Sequence, residues 1–281
     1  MDDLGATSRP GADLDLWPAS ALRRFTQMKR ITIFIYGVIS YAIFFATFLY
    51  AIGFIGNFLT PTRLDAPAQQ STQIAIAIDL ALLAIFAVQH SVMARPWFKK
   101  MWTRIIPEAA ERSTYVLSSS VMLIALFALW RPIGGVVWQM NNIAGRATIL
   151  VLYAAGWAIL LASTFLINHF DLFGLRQVWL NLRGQDYTSL KFRTPGLYRL
   201  VRHPLYVGWL LIFWMTPMMT AAHLLFAVMT TAYILVAIRF EERDLVTFHG
   251  AEYEAYRQRV PMLVPFSKSA PERVGNEQPV V

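Results

Sequence analysis

Four apolar runs, Ile31 to Ile55, Ile74 to Met93, Thr114 to Trp130 and Ala147 to Ile167, dictate the fold class before anything else is read. Each approaches the ~20 apolar residues that a helix needs to cross a hydrocarbon core, and each is bounded by charge or proline. Backbone inside lipid has to satisfy its own hydrogen bonds, so such a run is a helix. A fifth run, Pro204 to Ile238, is 35 residues long without Asp, Glu, Lys or Arg, too long for a single crossing even when tilted. Thr216-Pro217-Met218-Met219-Thr220 interrupts it. Pro217 removes a backbone donor there, so the run reads as a helical hairpin whose first arm, about 13 residues, is short for a full crossing. The expected fold class is an all-α, polytopic integral membrane protein with five to six transmembrane segments, the C-terminal hairpin included.

Charge supplies the orientation. All but Arg63, Arg131 and Arg146 of the 25 Lys and Arg fall in segments that alternate to one side of these spans, which the positive-inside rule assigns to the cytoplasm together with both termini. The net charge of +8 is therefore dispersed by membrane orientation, and nucleic acid is not an expected partner. Residues 1–30 are polar, and the run after them is too long for a cleaved signal peptide, so the first span is expected to remain. A polytopic chain of this kind suits a bacterial inner membrane. Zero cysteines exclude disulfides, thiolate nucleophiles and cysteine-ligated metals. The five histidines show no i, i+4 pair, so no metal is expected. The domain reading is a cytoplasmic segment over 1–30, a membrane domain over 31–266 and a disordered tail over 267–281.

Two cytoplasmic segments exceed a minimal connection, Asn168 to Arg202 and the chain after Arg239. Long ordered loops tend to carry function. Gly196-Leu197-Tyr198-Arg199, then Arg202-His203-Pro204-Leu205-Tyr206-Val207-Gly208, then Glu241-Glu242-Arg243-Asp244-Leu245 and Gly250, Tyr253, Tyr256, Val260 and Pro261 follow one another in order. This series resembles the C-terminal half of the isoprenylcysteine carboxyl methyltransferase and phospholipid methyltransferase superfamily. The resemblance implies S-adenosylmethionine as cofactor, with the Arg-His-Pro segment and the acidic pair lining its pocket, in a cofactor-binding half over about 168–266. Upstream, Gln89-His90-Ser91-Val92-Met93-Ala94-Arg95-Pro96, Glu111-Arg112-Ser113-Thr114-Tyr115 and Asn168-His169-Phe170-Asp171-Leu172-Phe173-Gly174-Leu175-Arg176-Gln177 resemble the NnrU-like branch, and within it the enzymes that methylate methanethiol to dimethyl sulfide. The similarity runs over roughly Ile31 to Phe266.

The residues themselves suit such a cofactor. A sulfonium is stabilised by aromatic faces and carboxylates, and an amino-acid carboxylate by Arg or a helix N-terminus. Arg199, Arg202 and the helix start at Pro204 offer the anion site; Tyr198, Tyr206 and Trp209 offer rings; Gly208 permits close backbone approach; Glu241 and Glu242 offer acceptors. His203 joins them through the motif. Arg199 and Arg202 taken alone read equally as orientation signal, and one of the two glutamates as a solvated helix end.

A thiol acceptor adds one requirement. Thiols ionise above neutrality, so a base is needed. His169 and Asp171, where the fourth span meets the cytosol, and His90 on the second span are the candidates. Asp171 orients His169 only if the helix ends between them, and His90 reads equally as a packing donor. Asp79, the carboxylate in the second span, lies away from this face and reads as structural. The expected partners are a small thiol and membrane lipid. A lipid-bearing acceptor, such as a prenylcysteine carboxylate or a phospholipid amine, and a non-catalytic membrane partner role remain alternatives.

Overall fold

A computed structural model describes residues 19–267; the expected N-terminal segment up to residue 18 and the expected tail from residue 268 lie outside them. Five helices are long and apolar enough to span a bilayer: α1 (Ala19–Gly56), α2 (Thr72–Ala94), α4 (Glu108–Leu129), α5 (Ile143–Ile167) and α9 (Ala221–His249). The protein is an all-α, polytopic integral membrane protein, as its apolar runs require. Shorter helices complete it: α3 (Pro96–Trp102), α6 (His169–Leu172), α7 (Leu175–Arg183), α8 (Pro204–Trp214) and α10 (Ala251–Arg259).

Local chemistry sets the breaks. Pro96 separates α2 from α3 by occupying the first turn of the new helix, where its missing N–H costs nothing. At Asn168 the chain turns extended, and its side chain accepts from Asp171 N at 3.1 Å, so α5 stops and α6 starts at His169. Gly174 opens α7 at φ 89°, the left-handed region open to glycine. A Cβ there would also stand 2.7 Å from Ser113 Oγ on α4, so the position is closed twice over.

The first arm of the predicted hairpin is α8, which ends at Trp214, three residues before Pro217. Eleven residues rise only about 16 Å, roughly half the hydrocarbon thickness. The remaining depth is covered by extended chain. Strand β2 (Met218–Thr220) pairs antiparallel with β1 (Val136–Gln139), with Val136 opposite Thr220 and Gln139 opposite Met218. Met140 N donates to Pro217 O at 2.8 Å and Ala221 N to Gly135 O at 2.9 Å. These bonds satisfy the non-helical backbone, which is tolerable in a membrane protein only when paired in this way. The ribbon was not legible in the sequence as a strand pair.

Behind the ribbon, His223 is fully buried, with Nδ1 2.8 Å from Asp65 Oδ2 and Nε2 2.9 Å from Phe213 O. This ties the α1–α2 loop to the hairpin. Asp79 sits at the same end, its Oδ1 accepting from Arg131 N at 2.8 Å while its Oδ2 is buried without a partner among the described residues. Phe48, Phe54, Phe127, Trp157, Ile212, Phe213 and Phe226 form the buried core between the spans. Helices α5 and α8 approach most closely at Gly156 and Gly208: a Cβ on Gly208 would lie 2.8 Å from Gly156 O. Small residues at helix contacts in membranes allow this approach.

Candidate active site

At the end opposite the ribbon, α8 starts with the Arg-His-Pro segment, and α9 returns beside it with its two glutamates. Arg202 Nε lies 2.7 Å from Glu242 Oε1, and His203 Nε2 lies 3.0 Å from the same oxygen. On its other side, His203 Nδ1 stands 3.8 Å from Glu241 Oε2, which also accepts from the Tyr206 hydroxyl at 2.9 Å. The two carboxylates differ in exposure: the Glu242 side chain is 12% exposed and the Glu241 side chain 43%. Glu242 is a buried counter-charge to Arg202, whereas the Glu241 carboxylate reaches solvent.

The C-terminal segment closes over this cluster. Arg202 Nη1 donates to Arg257 O at 2.9 Å and Val260 O at 2.7 Å, and the Arg202 and His203 amides donate to Pro261 O and Met262 O at 2.8 and 3.2 Å. Arg202 is thus largely engaged by its own chain, unlike the free anion site read from the sequence. Arg199 is exposed and makes no side-chain bond among the described residues. Tyr198 packs: its hydroxyl reaches Ser163 O at 3.5 Å, and its carbonyl accepts from Tyr256 OH at 2.6 Å. Burial pushes the Tyr256 phenol up to about 12. Tyr253, a member of the C-terminal motif series, is buried with a hydroxyl that has no partner among the described residues, and it lies within electrostatic reach of Glu242, Arg202 and Glu241. Gly208 faces Gly156 and Leu160 of α5, so its smallness serves helix packing. Pro204 is buried in the first turn of α8.

The three candidate bases occupy separate surroundings. His169 is buried and bonded at both ring nitrogens to hydroxyls, Tyr41 OH at 2.8 Å and Thr164 Oγ1 at 2.9 Å, and it stacks on Phe165 with ring centroids 4.3 Å apart. Burial holds its pKa below the ordinary 6.5. Asp171 does not pair with it: both stand in α6, where a two-residue spacing turns their side chains apart, and the Asp171 carboxylate takes Arg176 Nη1 at 2.8 Å and Tyr187 OH at 3.3 Å. His90 faces α4, with Nε2 2.9 Å from Tyr115 OH and Nδ1 3.1 Å from Ser119 Oγ. Its neighbour Ser91 meets Tyr233 of α9 at 3.1 Å. Of the three, His90 is the one whose sequence neighbour bonds the helix that carries Glu241. An open groove of about 440 Å³ lies at the ribbon end against Trp138, Met140, Trp214 and Met215, with no titratable group among its lining residues.

The chain is 57% identical over 239 residues to the methanethiol S-methyltransferase of Crocosphaera subtropica, covering 85% of this chain and 94% of that one. It is 51% identical over 239 residues to the enzyme of the same name from Mycobacterium tuberculosis, covering 85% of this chain and 98% of that one. The chain belongs to the methanethiol S-methyltransferase family. This member is also 31% identical over 176 residues to a Nurim homolog of Drosophila pseudoobscura pseudoobscura, covering 60% of this chain and 70% of that one. No family model and no solved structure matches it.

In this member of the methanethiol S-methyltransferase family, sequence reasoning missed Tyr115, Ser119, Tyr233 and the Arg95–Asp244 ion pair at 2.8 Å. Tyr115 and Arg95 stood within recognised segments without a role. Tyr233 had one available signal, a lone phenol in the uncharged part of the last span.

Proposed function

We propose that the protein is an S-adenosylmethionine-dependent membrane enzyme that methylates methanethiol to dimethyl sulfide. The observation that carries this reading is the 57% identity to a methanethiol S-methyltransferase along 94% of that enzyme's length. The site supports it. S-Adenosylmethionine supplies an electrophilic methyl group on a cationic sulfur, together with ribose hydroxyls, an ammonium and a carboxylate. Glu241 offers the carboxylate that hydroxyl or ammonium donors require. The unpartnered Tyr253 hydroxyl offers a further polar contact, and the exposed Arg199 a counter-charge for a carboxylate. Tyr206 offers a ring face for a cation, whereas Trp209 packs on Trp157 and Phe213 with ring centroids 5.5 and 5.3 Å away. Glu242, Arg202 and His203 hold the shape of the site from beneath.

Most of the rate enhancement in such a transfer comes from holding thiol and methyl donor together in line. A proton acceptor then raises the fraction of nucleophilic thiolate. Of the three candidates, His90 is favoured by its connection through Ser91 and Tyr233 to α9. We further place the site and both termini on the cytoplasmic side of a bacterial inner membrane. The basis is that Arg63, Arg131 and Arg146 are the basic residues left to the opposite side.

The test is dimethyl sulfide formation, read by headspace gas chromatography, from detergent-solubilised protein given S-adenosylmethionine and methanethiol. Glu241→Gln is expected to weaken cofactor affinity about tenfold, the scale of one charge-assisted hydrogen bond. Cofactor binding without any dimethyl sulfide would remove methanethiol as the acceptor.

A further inference from the structure

We propose that the methyl acceptor is received between α2, α4, α8 and α9, where the Tyr115 hydroxyl takes the thiol proton and passes its own to His90. The inference rests on the thiol-methyltransferase reading given above.

Tyr233, Glu241 and Asp244 share one face of α9, at spacings of eight and three residues. The outer two of them bind α2: Tyr233 OH meets Ser91 Oγ at 3.1 Å, and Asp244 Oδ2 meets Arg95 Nη1 at 2.8 Å. Glu241, between them, takes the Tyr206 hydroxyl from α8 at 2.9 Å. The site carboxylate therefore faces the last turns of α2. His90 stands on those turns, and Tyr115 OH from α4 lies 2.9 Å from its Nε2 and 3.1 Å from its Nδ1. Phe86 backs the imidazole with ring centroids 5.2 Å apart and reaches Tyr233 at 6.4 Å. Tyr206 lies within electrostatic reach of both Tyr233 and Tyr115. On the same turn of α2, Gln89 Oε1 is buried without a partner.

Three phenols, an imidazole and an orphaned amide oxygen thus converge from three helices and the start of α8. Buried polar side chains of this density are costly unless satisfied, and the Gln89 oxygen here is left without a partner among the described residues. The charged groups facing the Tyr115–His90 pair are Arg95 on α2 and Arg112 and Glu111 on α4, with the Tyr233 phenol on α9.

With Nδ1 donating to Ser119 Oγ, Nε2 is the acceptor that faces Tyr115. In the transfer, the S–H bond breaks and its electron pair stays on sulfur. That pair forms the bond to the incoming methyl, while the methyl's former carbon–sulfur bond breaks toward the donor sulfur. The thiol proton moves to the Tyr115 oxygen as the phenolic proton moves to His90 Nε2. Tyr115 ends unchanged, and the imidazolium returns its proton to solvent after turnover. Without the relay, only thiol that is already ionised reacts, a minor fraction at neutral pH.

The experiment compares wild type, Tyr115→Phe and His90→Asn between pH 6.5 and 9, reading kcat and KM for methanethiol and the cofactor Kd. Tyr115→Phe is expected to lower kcat about 100-fold at pH 7 with cofactor Kd unchanged. The deficit should shrink as pH rises, and also at pH 7 with the more acidic 2,2,2-trifluoroethanethiol, because the thiolate then arrives ready-made. His90→Asn should show the same recovery, which keeps the test open if removal of the phenol prevents folding. A loss that is equal at all pH values and for both thiols, or no loss, would overturn the relay. Absence of dimethyl sulfide from wild type would instead remove the underlying reading, and the relay with it.

Discussion

Glu241 and Glu242 are neighbours in sequence with opposite duties, and substitution separates them. Glu242 is nearly enclosed, ion-paired with Arg202 and hydrogen-bonded to His203. Removing one member of a buried pair leaves an uncompensated charge, so Glu242→Ala is expected to destabilise the protein by about 3 kcal/mol, read as a lower thermal midpoint in detergent. Glu241→Gln keeps the acceptor for Tyr206 and lies nearer solvent. It should leave that midpoint within about a degree or two, since surface changes typically stay within ~0.5 kcal/mol, while cofactor affinity falls. His169 gives a second residue-scale expectation. Burial holds it neutral below its ordinary 6.5, so as pH falls through about 6.5 the unfolded chain binds a proton that the native state refuses. Stability is therefore full above that pH and declines below it. The thermal midpoint should fall between pH 6.5 and 5, and His169→Asn should flatten the decline. Local sequence explains why Glu241 and Glu242 were readable and Tyr115 was not. The glutamates flag themselves as charges at the end of an apolar run, whereas the partners of Tyr115 lie 25 residues away or on other helices.

The α5–α8 contact is the element whose geometry most controls the site, because α8 carries His203 and Tyr206 at its start. Gly156 and Gly208 bring the two backbones together, with a Cβ at 208 standing 2.8 Å from Gly156 O and 2.9 Å from Leu160 N. Gly208→Ala is expected to cost about 1–3 kcal/mol through overpacking. It should also lower methyl transfer by displacing Tyr206, and a thermal melt alongside an activity assay checks both. The apolar runs predicted the helices well, because bilayer thickness fixes how long such a run must be. The hairpin's ribbon stayed hidden: Val136 to Gln139 and Met218 to Thr220 are too short to show a period of two, and their pairing depends on a contact about 80 residues apart in sequence. Likewise the spacing of His169 and Asp171 suggested a pair. The break at Asn168 precedes both, so they share α6 and their side chains diverge, and Arg176 and Tyr187 claim the carboxylate.

For the whole molecule, two ends with different chemistry follow from the way six apolar helices alternate in direction. One end holds the β1–β2 ribbon and the Asp65–His223 pair; the other gathers the Arg202–Glu242 cluster, His90 and His169. The cysteine-free chain makes the orientation testable. A single cysteine at exposed Ala68 should react with a membrane-impermeant maleimide on intact cells, and one at exposed Ser189 only after permeabilisation. The reverse pattern would invert the topology and move the site outside. Transfer of a methyl group to a small thiol at this end of the bundle is tested by supplying methyl-labelled S-adenosylmethionine to the purified protein with methanethiol, a prenylcysteine analogue and phospholipid present together, and following the label. The label is expected in volatile dimethyl sulfide, suppressed by Glu241→Gln. Label recovered in the lipid or prenylcysteine fraction, or none transferred while cofactor binds, would contradict it.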